Sequence, residues 1–201
     1  KIEGDVVGCN IEGDFSDKNV GVNKTVTFNI SLNGTDAGNY ALAANSITSN
    51  ASITKAPLTI TAVANTKTYD GGTSASTASM VTSGTVDDAY TLSEKYGEKK
   101  AGSNKLLIPE ITFATASDAA NYAVTAVNVN TGAINKAALT ASLTGTVEKV
   151  YDGNTMATLT SDNFNVSGKV SGDELLFAGR GSYSNKNVGT GISVTVPTYT
   201  L

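Results

Sequence analysis

A tyrosine followed by Asp-Gly and, two residues later, by threonine occurs twice, as TYDGGT at 68–73 and VYDGNT at 150–155. The residues concerned are Tyr69, Asp70 and Gly71 in one copy and Tyr151, Asp152 and Gly153 in the other. A carboxylate beside hydroxyl and amide oxygens could ligate calcium, and a carboxylate beside a phenol could form part of an active site. Asp-Gly is also typical of a tight turn, because glycine adopts positive φ and aspartate bonds nearby backbone amides.

Catalytic motifs of the common hydrolases are missing from the chain. The sequence has no histidine, which excludes Ser-His-Asp and Cys-His arrangements. It has no GxSxG, no phosphate loop and no HExxH. Paired carboxylates could still hydrolyse glycosides, but the acidic candidates occupy turn-like positions of a repeat: Asp5, Asp87, Asp88, Asp173 and Glu174. An active site is normally built once, so the sequence predicts a protein that is not an enzyme.

Metal binding is the next chemistry to weigh. Asp70 with Thr73, or Asp152 with Asn154 and Thr155, could contribute oxygen ligands to calcium. Each loop offers one carboxylate, however, and no D-x-D-x-D-G run is present. The sequence therefore favours a structural turn with no cofactor, and structural calcium stays open as an alternative.

The single cysteine and two of the lysines are further candidates for covalent or metal chemistry. Cys9 is the only cysteine, so the chain can form neither an internal disulfide nor a cysteine-based zinc site. We expect Cys9 to be a small buried apolar residue. Lys18 and Lys186 stand at matching positions and could each form an isopeptide bond with an asparagine, although solvated lysines are the commoner case.

The composition of the chain indicates its fold class and excludes some classes of binding partner. The net charge is −4 and the pI about 4.8, with no cluster of basic residues, so neither nucleic acid nor an anionic membrane is an expected partner. No apolar run approaches the roughly 20 residues of a membrane-spanning helix. Threonine, valine, glycine and asparagine are abundant, which favours strands and turns and predicts an all-β protein. The chain begins with KIEGDVVGCN and no signal-peptide pattern, so we expect it to be an excised fragment.

Internal repeats are the strongest signal, and four blocks recur in constant order at a spacing of about 82 residues or twice that. Besides the Tyr-Asp-Gly block, TDAGNYAL at 35–42 matches SDAANYAV at 117–124, and ITKAPLTITA at 53–62 matches INKAALTASL at 134–143. GDFSDKNVGVNKTVTF at 13–28 matches GSYSNKNVGTGISVTV at 181–196, with a degenerate copy, EKYGEKKAGSNKLLI, at 94–108. The chain therefore divides into a partial repeat at 1–56, a complete repeat at 57–137 and a partial repeat at 138–201.

Each repeat has the size of a small β-sandwich, so we predict tandem Ig-like β-sandwich repeats of about 82 residues that form an elongated rod. The clearest strand, at 25–32, places Val26, Phe28, Ile30 and Leu32 on one face. Other strands are predicted at 58–64, 122–129 and 192–201, and near 75–81, 88–93 and 105–115. Pro197 predicts a bulge or an edge position.

Two tyrosines end the DAGNY and DAANY blocks. Tyr40 and Tyr122 each follow a polar turn and open a strand, which is typical of a corner tyrosine whose ring packs inward and whose hydroxyl bonds backbone. At the repeat boundary, Pro57 stiffens a link of only about four residues between Ile53 and Leu58, which limits freedom between repeats. At the Tyr-Asp-Gly corner, we expect Tyr151 to fill one end of a core.

The motifs TYDGGT, VYDGNT, DKNVG, NKNVG, DAGNY and ITKAPLT together resemble the YDG/MBG-type repeats of large bacterial surface proteins. The resemblance covers essentially the whole chain, and the block EKKAGSN departs from it. It implies a secreted or surface-anchored, adhesin-like protein in which many copies build a stalk.

The expected function is therefore a spacer that projects another region from the bacterial cell surface. Its expected partners are neighbouring repeats of the same chain, with a host or environmental glycan or protein as a further candidate, and no membrane insertion is expected. The alternative is a carbohydrate- or protein-binding accessory module of a cell-surface protein or enzyme.

Overall fold

The computed structural model describes residues 1–175 and 179–196, and it confirms the all-β prediction. The strands are β1 (Gly8–Phe15), β2 (Gly21–Asn33), β3 (Ser46–Ile53), β4 (Ala56–Thr61), β5 (Thr66–Thr68), β6 (Met80–Ser83), β7 (Tyr90–Tyr96), β8 (Gly102–Phe113), β9 (Tyr122–Val127), β10 (Val129–Asn135), β11 (Thr140–Leu143), β12 (Met156–Leu159), β13 (Phe164–Ser167), β14 (Gly179–Tyr183) and β15 (Val194–Thr195). The described helical segments are α1 (Ala116–Ala120) and 3₁₀ turns at Ala37–Asn39 and Ser161–Asn163. No helix in these described ranges is both long and apolar enough to cross a membrane.

The first repeat is an antiparallel sheet with strand order β1-β2-β3. The strand predicted at 25–32 lies within β2, and Val26 on its apolar face is 5% exposed. Side chains of β1 remain exposed along its length, and these include Cys9. The prediction of a buried cysteine is wrong, because no sheet of the described residues covers the face of β1 that carries Cys9.

The second repeat has two mixed sheets, β5-β10-β8-β7 and β6-β4-β9. Two pairs are parallel, β4 with β9 and β5 with β10, and the remaining neighbours are antiparallel. A core cluster joins Ala62, just after β4, with Tyr96, Leu107 and Ile134 of the other sheet. Each of these side chains is at most 5% exposed, so the core of this repeat lies between its two sheets.

A short helix interrupts the region expected to be a plain turn before Tyr122. The Thr115 hydroxyl accepts a hydrogen bond from the Asp118 amide and caps α1, which is the usual role of threonine at a helix start. The strand predicted at 122–129 divides at Asn128 into β9 and β10, which belong to different sheets. Asn128 therefore marks a crossing between sheets that the alternating pattern did not reveal.

The third repeat contains the pair β11-β13 and the sheet β12-β14-β15. Among its described residues, Ala157 and Leu159 of β12 are the most buried apolar side chains, at 1% and 2% exposed. Of the strand predicted at 192–201, the structure describes β15, and Pro197 lies outside the described residues. Every described sheet draws its strands from one repeat only.

One glycine turn is repeated after β6 and after β13. Gly84 and Gly168 adopt φ of +88° and +86°, a region that side chains with a Cβ rarely occupy. A Cβ at Gly84 would meet the carbonyl oxygen of Pro57, and one at Gly168 would meet that of Ala138. This turn brings each strand end against the start of its own repeat.

Candidate functional site

The Tyr-Asp-Gly segment of the second repeat is a tight turn closed by its own aspartate. The Asp70 Oδ1 accepts a hydrogen bond from the Gly72 amide at 2.9 Å, and Gly71 has φ of +80°. Gly72 itself needs no positive φ, so the turn depends on glycine at position 71. The segment follows β5, whose pairing with β10 fixes its place at the edge of the sheet.

A lysine lies at the centre of this turn. The Lys67 ammonium donates to Asp70 Oδ1 at 2.8 Å and to the carbonyl oxygens of Gly72 and Ser74 at 2.9 and 3.1 Å. Its nitrogen also lies 5.3 Å from the centre of the Tyr96 ring. The lysine side chain is 10% exposed, so one cation holds together both arms of the turn.

The third repeat builds the same turn with the same residue types. The Lys149 ammonium donates to Asp152 Oδ1 at 2.7 Å and to the Asn154 carbonyl oxygen at 2.9 Å. The Asn154 amide donates to Asp152 Oδ1 at 3.1 Å, and Gly153 has φ of +79°. Lys149 also lies 5.8 Å from the centre of the Tyr183 ring. The two turns therefore share the bonds from lysine to the aspartate carboxylate and to the carbonyl two residues later, and the bond from that residue's amide to the aspartate.

Lys67 and Lys149 are the site residues that sequence reasoning missed. The signal was present, because both copies read K-x-Y-D-G, with lysine two residues before tyrosine. The hydrogen bond from each lysine holds the pKa of Asp70 and of Asp152 below the ordinary value, and the backbone amide two residues later adds to this effect. The ammonium thus bonds the carboxylate that a calcium ion would need.

The two motif tyrosines differ in their surroundings. Tyr69 packs against the core of the second repeat, and its hydroxyl donates to Asp173 Oδ1 of the third repeat at 2.9 Å. This hydrogen bond raises the pKa of Tyr69, with a smaller contribution from burial. Tyr151 is 59% exposed, so the expectation that it fills one end of a core is wrong. Next to Tyr69 stands β10, whereas no described strand of the third repeat takes that place beside Tyr151.

Tyr122 and Tyr40 occupy equivalent corners of the second and first repeats. Tyr122 is 7% exposed and stacks on Phe113 with ring centres 4.8 Å apart. Its hydroxyl accepts from the Asp87 amide at 3.1 Å and donates to Asp88 Oδ2 at 3.2 Å. The Tyr40 hydroxyl accepts from the Ile2 amide at 2.7 Å and donates to Asp5 Oδ2. Each tyrosine hydroxyl therefore links a backbone amide to an aspartate.

The first and second repeats meet at this corner. In the first repeat, the loop Asp17–Gly21 reaches Asn121, whose side-chain oxygen accepts from the Val20 amide at 2.9 Å. The Asn121 side-chain amide donates to Asn19 Oδ1 at 3.1 Å. The Lys18 ammonium pairs with the Asp88 carboxylate, and this hydrogen bond lowers the pKa of Asp88 and raises that of Lys18. The lysine weighed for an isopeptide bond thus pairs with a carboxylate here.

The second and third repeats meet at the Tyr-Asp-Gly turn. Besides the Tyr69–Asp173 bond, a cavity of about 370 Å³ lies at this boundary, lined in part by Lys100, Leu139, Val170 and Leu175. A Cβ atom at Gly71 would lie 3.0 Å from Val170 Cγ1, so the two repeats are in close contact. This places the sequence motif at a boundary between repeats.

Groups that could do chemistry do not converge elsewhere in the described residues. No cluster of three or more cysteine, aspartate or glutamate side chains suited to a metal occurs in ranges 1–175 and 179–196. Among the described acidic residues, Glu94 is the one that is buried as a whole residue, at 4% exposed, and its Oε2 accepts from the Val63 amide at 2.6 Å. Its Oε1 has no hydrogen-bond partner among the described residues. One isolated carboxylate provides no acid–base pair.

A family model, the YDG domain, matches the chain in three segments, 1–48, 54–129 and 135–201. The gap between the first and second segments, 49–53, covers the second half of β3. The gap between the second and third segments, 130–134, lies within β10. No curated protein and no solved structure matches the chain.

Proposed function

The chain belongs to the YDG domain family, and from that premise we propose that its repeats form a structural spacer in a bacterial extracellular, adhesin-like protein. The observation that carries this proposal is that the repeated motifs bond one repeat to the next. Lys18 and Asn19 bond Asp88 and Asn121, and Tyr69 bonds Asp173. Motif residues of a stalk have that task, whereas motif residues of an enzyme converge on a substrate pocket.

Each repeat is proposed to be an Ig-like β-sandwich. The facing sheets of the second repeat, with Ala62 opposite Tyr96, Leu107 and Ile134, support two packed layers around one core. The sheets of such sandwiches are usually antiparallel. The second repeat differs in having two parallel pairs, β4 with β9 and β5 with β10, beside its antiparallel ones.

Stacking of the repeats into a rod is the second part of the proposal. Only Thr54 and Lys55 separate β3 from β4, and residues 136–139 separate β10 from β11. Links this short restrict the relative motion of neighbouring repeats. Contacts at both boundaries involve loops at the ends of the repeats, which supports an end-to-end arrangement.

A binding screen separates this function from its alternative, an accessory module that binds carbohydrate or protein. The 201-residue chain would be applied to a glycan array and to immobilised extracellular matrix proteins. The spacer proposal expects no reproducible binding in the micromolar range. Saturable micromolar binding of a glycan or protein, lost on unfolding the chain, would establish the accessory-module function instead.

A further inference from the structure

The loops Asp17–Gly21 of the first repeat and Asn185–Gly189 of the third have the same local fold. In the former, the Asn19 amide donates to Asp17 Oδ1 at 2.8 Å, and in the latter, the Asn187 amide donates to Asn185 Oδ1 at 2.9 Å. Both loops continue with valine and glycine, and both carry a lysine between the two bonded residues. We name them the first clasp loop, Asp17–Gly21, and the second clasp loop, Asn185–Gly189.

The first clasp loop is docked, and its target is defined. Its Val20 amide and Asn19 side chain bond the Asn121 side chain, while Lys18 pairs with Asp88. Asp88 is 8% exposed in its side chain and is held in place by the Tyr122 hydroxyl. The target is therefore an asparagine followed by a corner tyrosine, with an aspartate on that tyrosine's hydroxyl.

The first repeat carries a second copy of this target. Asn39 precedes Tyr40, and the Tyr40 hydroxyl bonds Asp5 as the Tyr122 hydroxyl bonds Asp88. Both hydroxyls also accept a backbone amide, from Ile2 and from Asp87 respectively. Asn39 is exposed, whereas Asn121 is half-buried against the first clasp loop. We name Asp5, Asn39 and Tyr40 the open corner.

The second clasp loop is equally uncovered. Val188 is 87% exposed, whereas Val20 in the docked loop is half-buried. Across the described ranges 1–175 and 179–196, no hydrogen bond or ion pair links this loop to another repeat. The chain thus holds one docked pair, one undocked loop in its third repeat and one undocked corner in its first.

We propose that the second clasp loop binds the open corner of another repeat of this type, so that two copies of the chain associate head to tail. Lys186 pairs with Asp5, the Val188 amide bonds Asn39 Oδ1, and the Asn39 side-chain amide bonds Asn187. This inference rests on the proposed function, because it supplies the rule by which stacked repeats are joined. The degenerate second-repeat segment EKKAG at 98–102 lacks the Asn-Val step and is excluded from this rule.

The strength of such a junction depends on whether the two repeats are linked. Within one polypeptide, a short link gives an effective concentration in the millimolar range, so a few polar bonds suffice to dock the repeats. Between separate chains, the same polar contacts give weak association. The test therefore has to detect binding at high protein concentration and with residue resolution.

The experiment is a concentration series of the isotope-labelled 201-residue chain, read by amide chemical shifts up to about 1 mM. The expected shifts rise with concentration and concentrate in two patches, the second clasp loop and the residues around Asp5, Asn39 and Tyr40. Lys186→Asp is expected to abolish them, and Lys99→Asp, the same charge change on another exposed loop lysine, is expected to leave them intact. The absence of concentration-dependent shifts in the native chain would overturn the proposal.

A charge swap tests the pairing of the two patches. Asp5→Lys alone abolishes association, and mixing it with Lys186→Asp restores shifts, because the introduced lysine of one chain then faces the introduced aspartate of the other. Since Asp5→Lys also removes the acceptor of the Tyr40 hydroxyl, Asn39→Ala serves as a second variant and should abolish the shifts in a folded chain. Failure of the mixture to restore them, or full association of Asn39→Ala, would contradict the junction. Small-angle scattering of the dilute monomer tests the rod separately, so an elongated monomer that does not associate would refute only this inference.

Discussion

The Lys67 ammonium lies 2.8 Å from the Asp70 carboxylate, and the Lys149 ammonium lies 2.7 Å from Asp152 in the same arrangement one repeat later. Each aspartate also accepts the backbone amide two residues along. Since the ammonium, the carboxylate and the backbone amide recur in both repeats, the Tyr-Asp-Gly motif is best understood as a lysine-closed turn.

Removing the lysine should open this turn. Lys67→Met keeps the length of the side chain but leaves the carbonyl oxygens of Gly72 and Ser74 without their charged donor. We expect amide hydrogen exchange at Gly72 and Ala75 to become about ten-fold faster, which corresponds to loss of a hydrogen bond to a charged group. Lys99→Met, at an exposed lysine, is the control. Unchanged exchange at Gly72 would show that the turn holds without Lys67.

The motif glycines provide a matched pair of variants. Gly71→Ala and Gly153→Ala each force alanine into a left-handed conformation, at a cost of about 1–2 kcal/mol in unfolding free energy. The new methyl at Gly71 also lies 3.0 Å from Val170 Cγ1, whereas nothing lies within 4 Å at Gly153. We expect only Gly71→Ala to move the Val170 methyl resonances. Equal shifts in both variants would contradict the contact between the second and third repeats.

The Tyr69 hydroxyl is expected to couple that contact to high pH. Its bond to Asp173 raises the pKa of Tyr69 above the ordinary value of 10.0. Because the folded state favours the neutral phenol, this stabilisation is complete below pH 10.0 and is lost as the pH rises through the folded pKa. We expect the resonances of Asp173 to shift in that window.

Tyr69→Phe should remove the high-pH shift at Asp173 while the core of the second repeat stays folded. Tyr151→Phe is the matched control, because Tyr151 is 59% exposed and should have no effect on Asp173. An Asp173 shift that persists in Tyr69→Phe would assign the titration to another group.

The contact between the first and second repeats should weaken in acid. The hydrogen bond from Lys18 holds the pKa of Asp88 below its ordinary value of 3.8. Stabilisation by this pair is therefore complete above pH 3.8 and is lost as the pH falls through the folded pKa. We expect the Val20 amide to exchange faster in that window, with the dependence absent in Asp88→Asn. If exchange of the Val20 amide did not change in acid, the Lys18–Asp88 ion pair would not be needed to dock the loop Asp17–Gly21.

Sequence periodicity located a strand that buries one face. It failed where the position of a break or of a strand start depends on contacts with other strands. Val26 to Leu32 alternate on β2 as predicted, because half-burial produces a period of two. The break at Asn128 was not predictable from alternation, since it depends on which sheet each half joins. The strand expected near 75–81 begins only at Met80, after a loop in which the Ala75 amide donates to the Glu94 carbonyl oxygen.

Residue type gave a wrong prediction of burial where no neighbouring strand packs against the side chain. Cysteine is commonly buried, yet Cys9 lies on a strand with exposed faces. Tyr69 and Tyr151 have the same local sequence, but only Tyr69 has β10 beside it and Asp173 above it. Lys67 and Lys149 were not predicted as site residues, because a single lysine in a sequence is normally assigned to solvent. Their hydrogen-bond acceptors are visible only in the folded structure. Such differences arise from long-range packing, which a local motif does not encode.

Small-angle scattering of the dilute 201-residue chain tests the central claim, that the repeats stack end to end as a spacer. A single compact globule of 201 residues has a radius of gyration of about 16–17 Å. The spacer account predicts a radius of gyration clearly above that value and a pair-distance distribution with the long tail of a rod. A value near 16–17 Å with a symmetric distribution would contradict it.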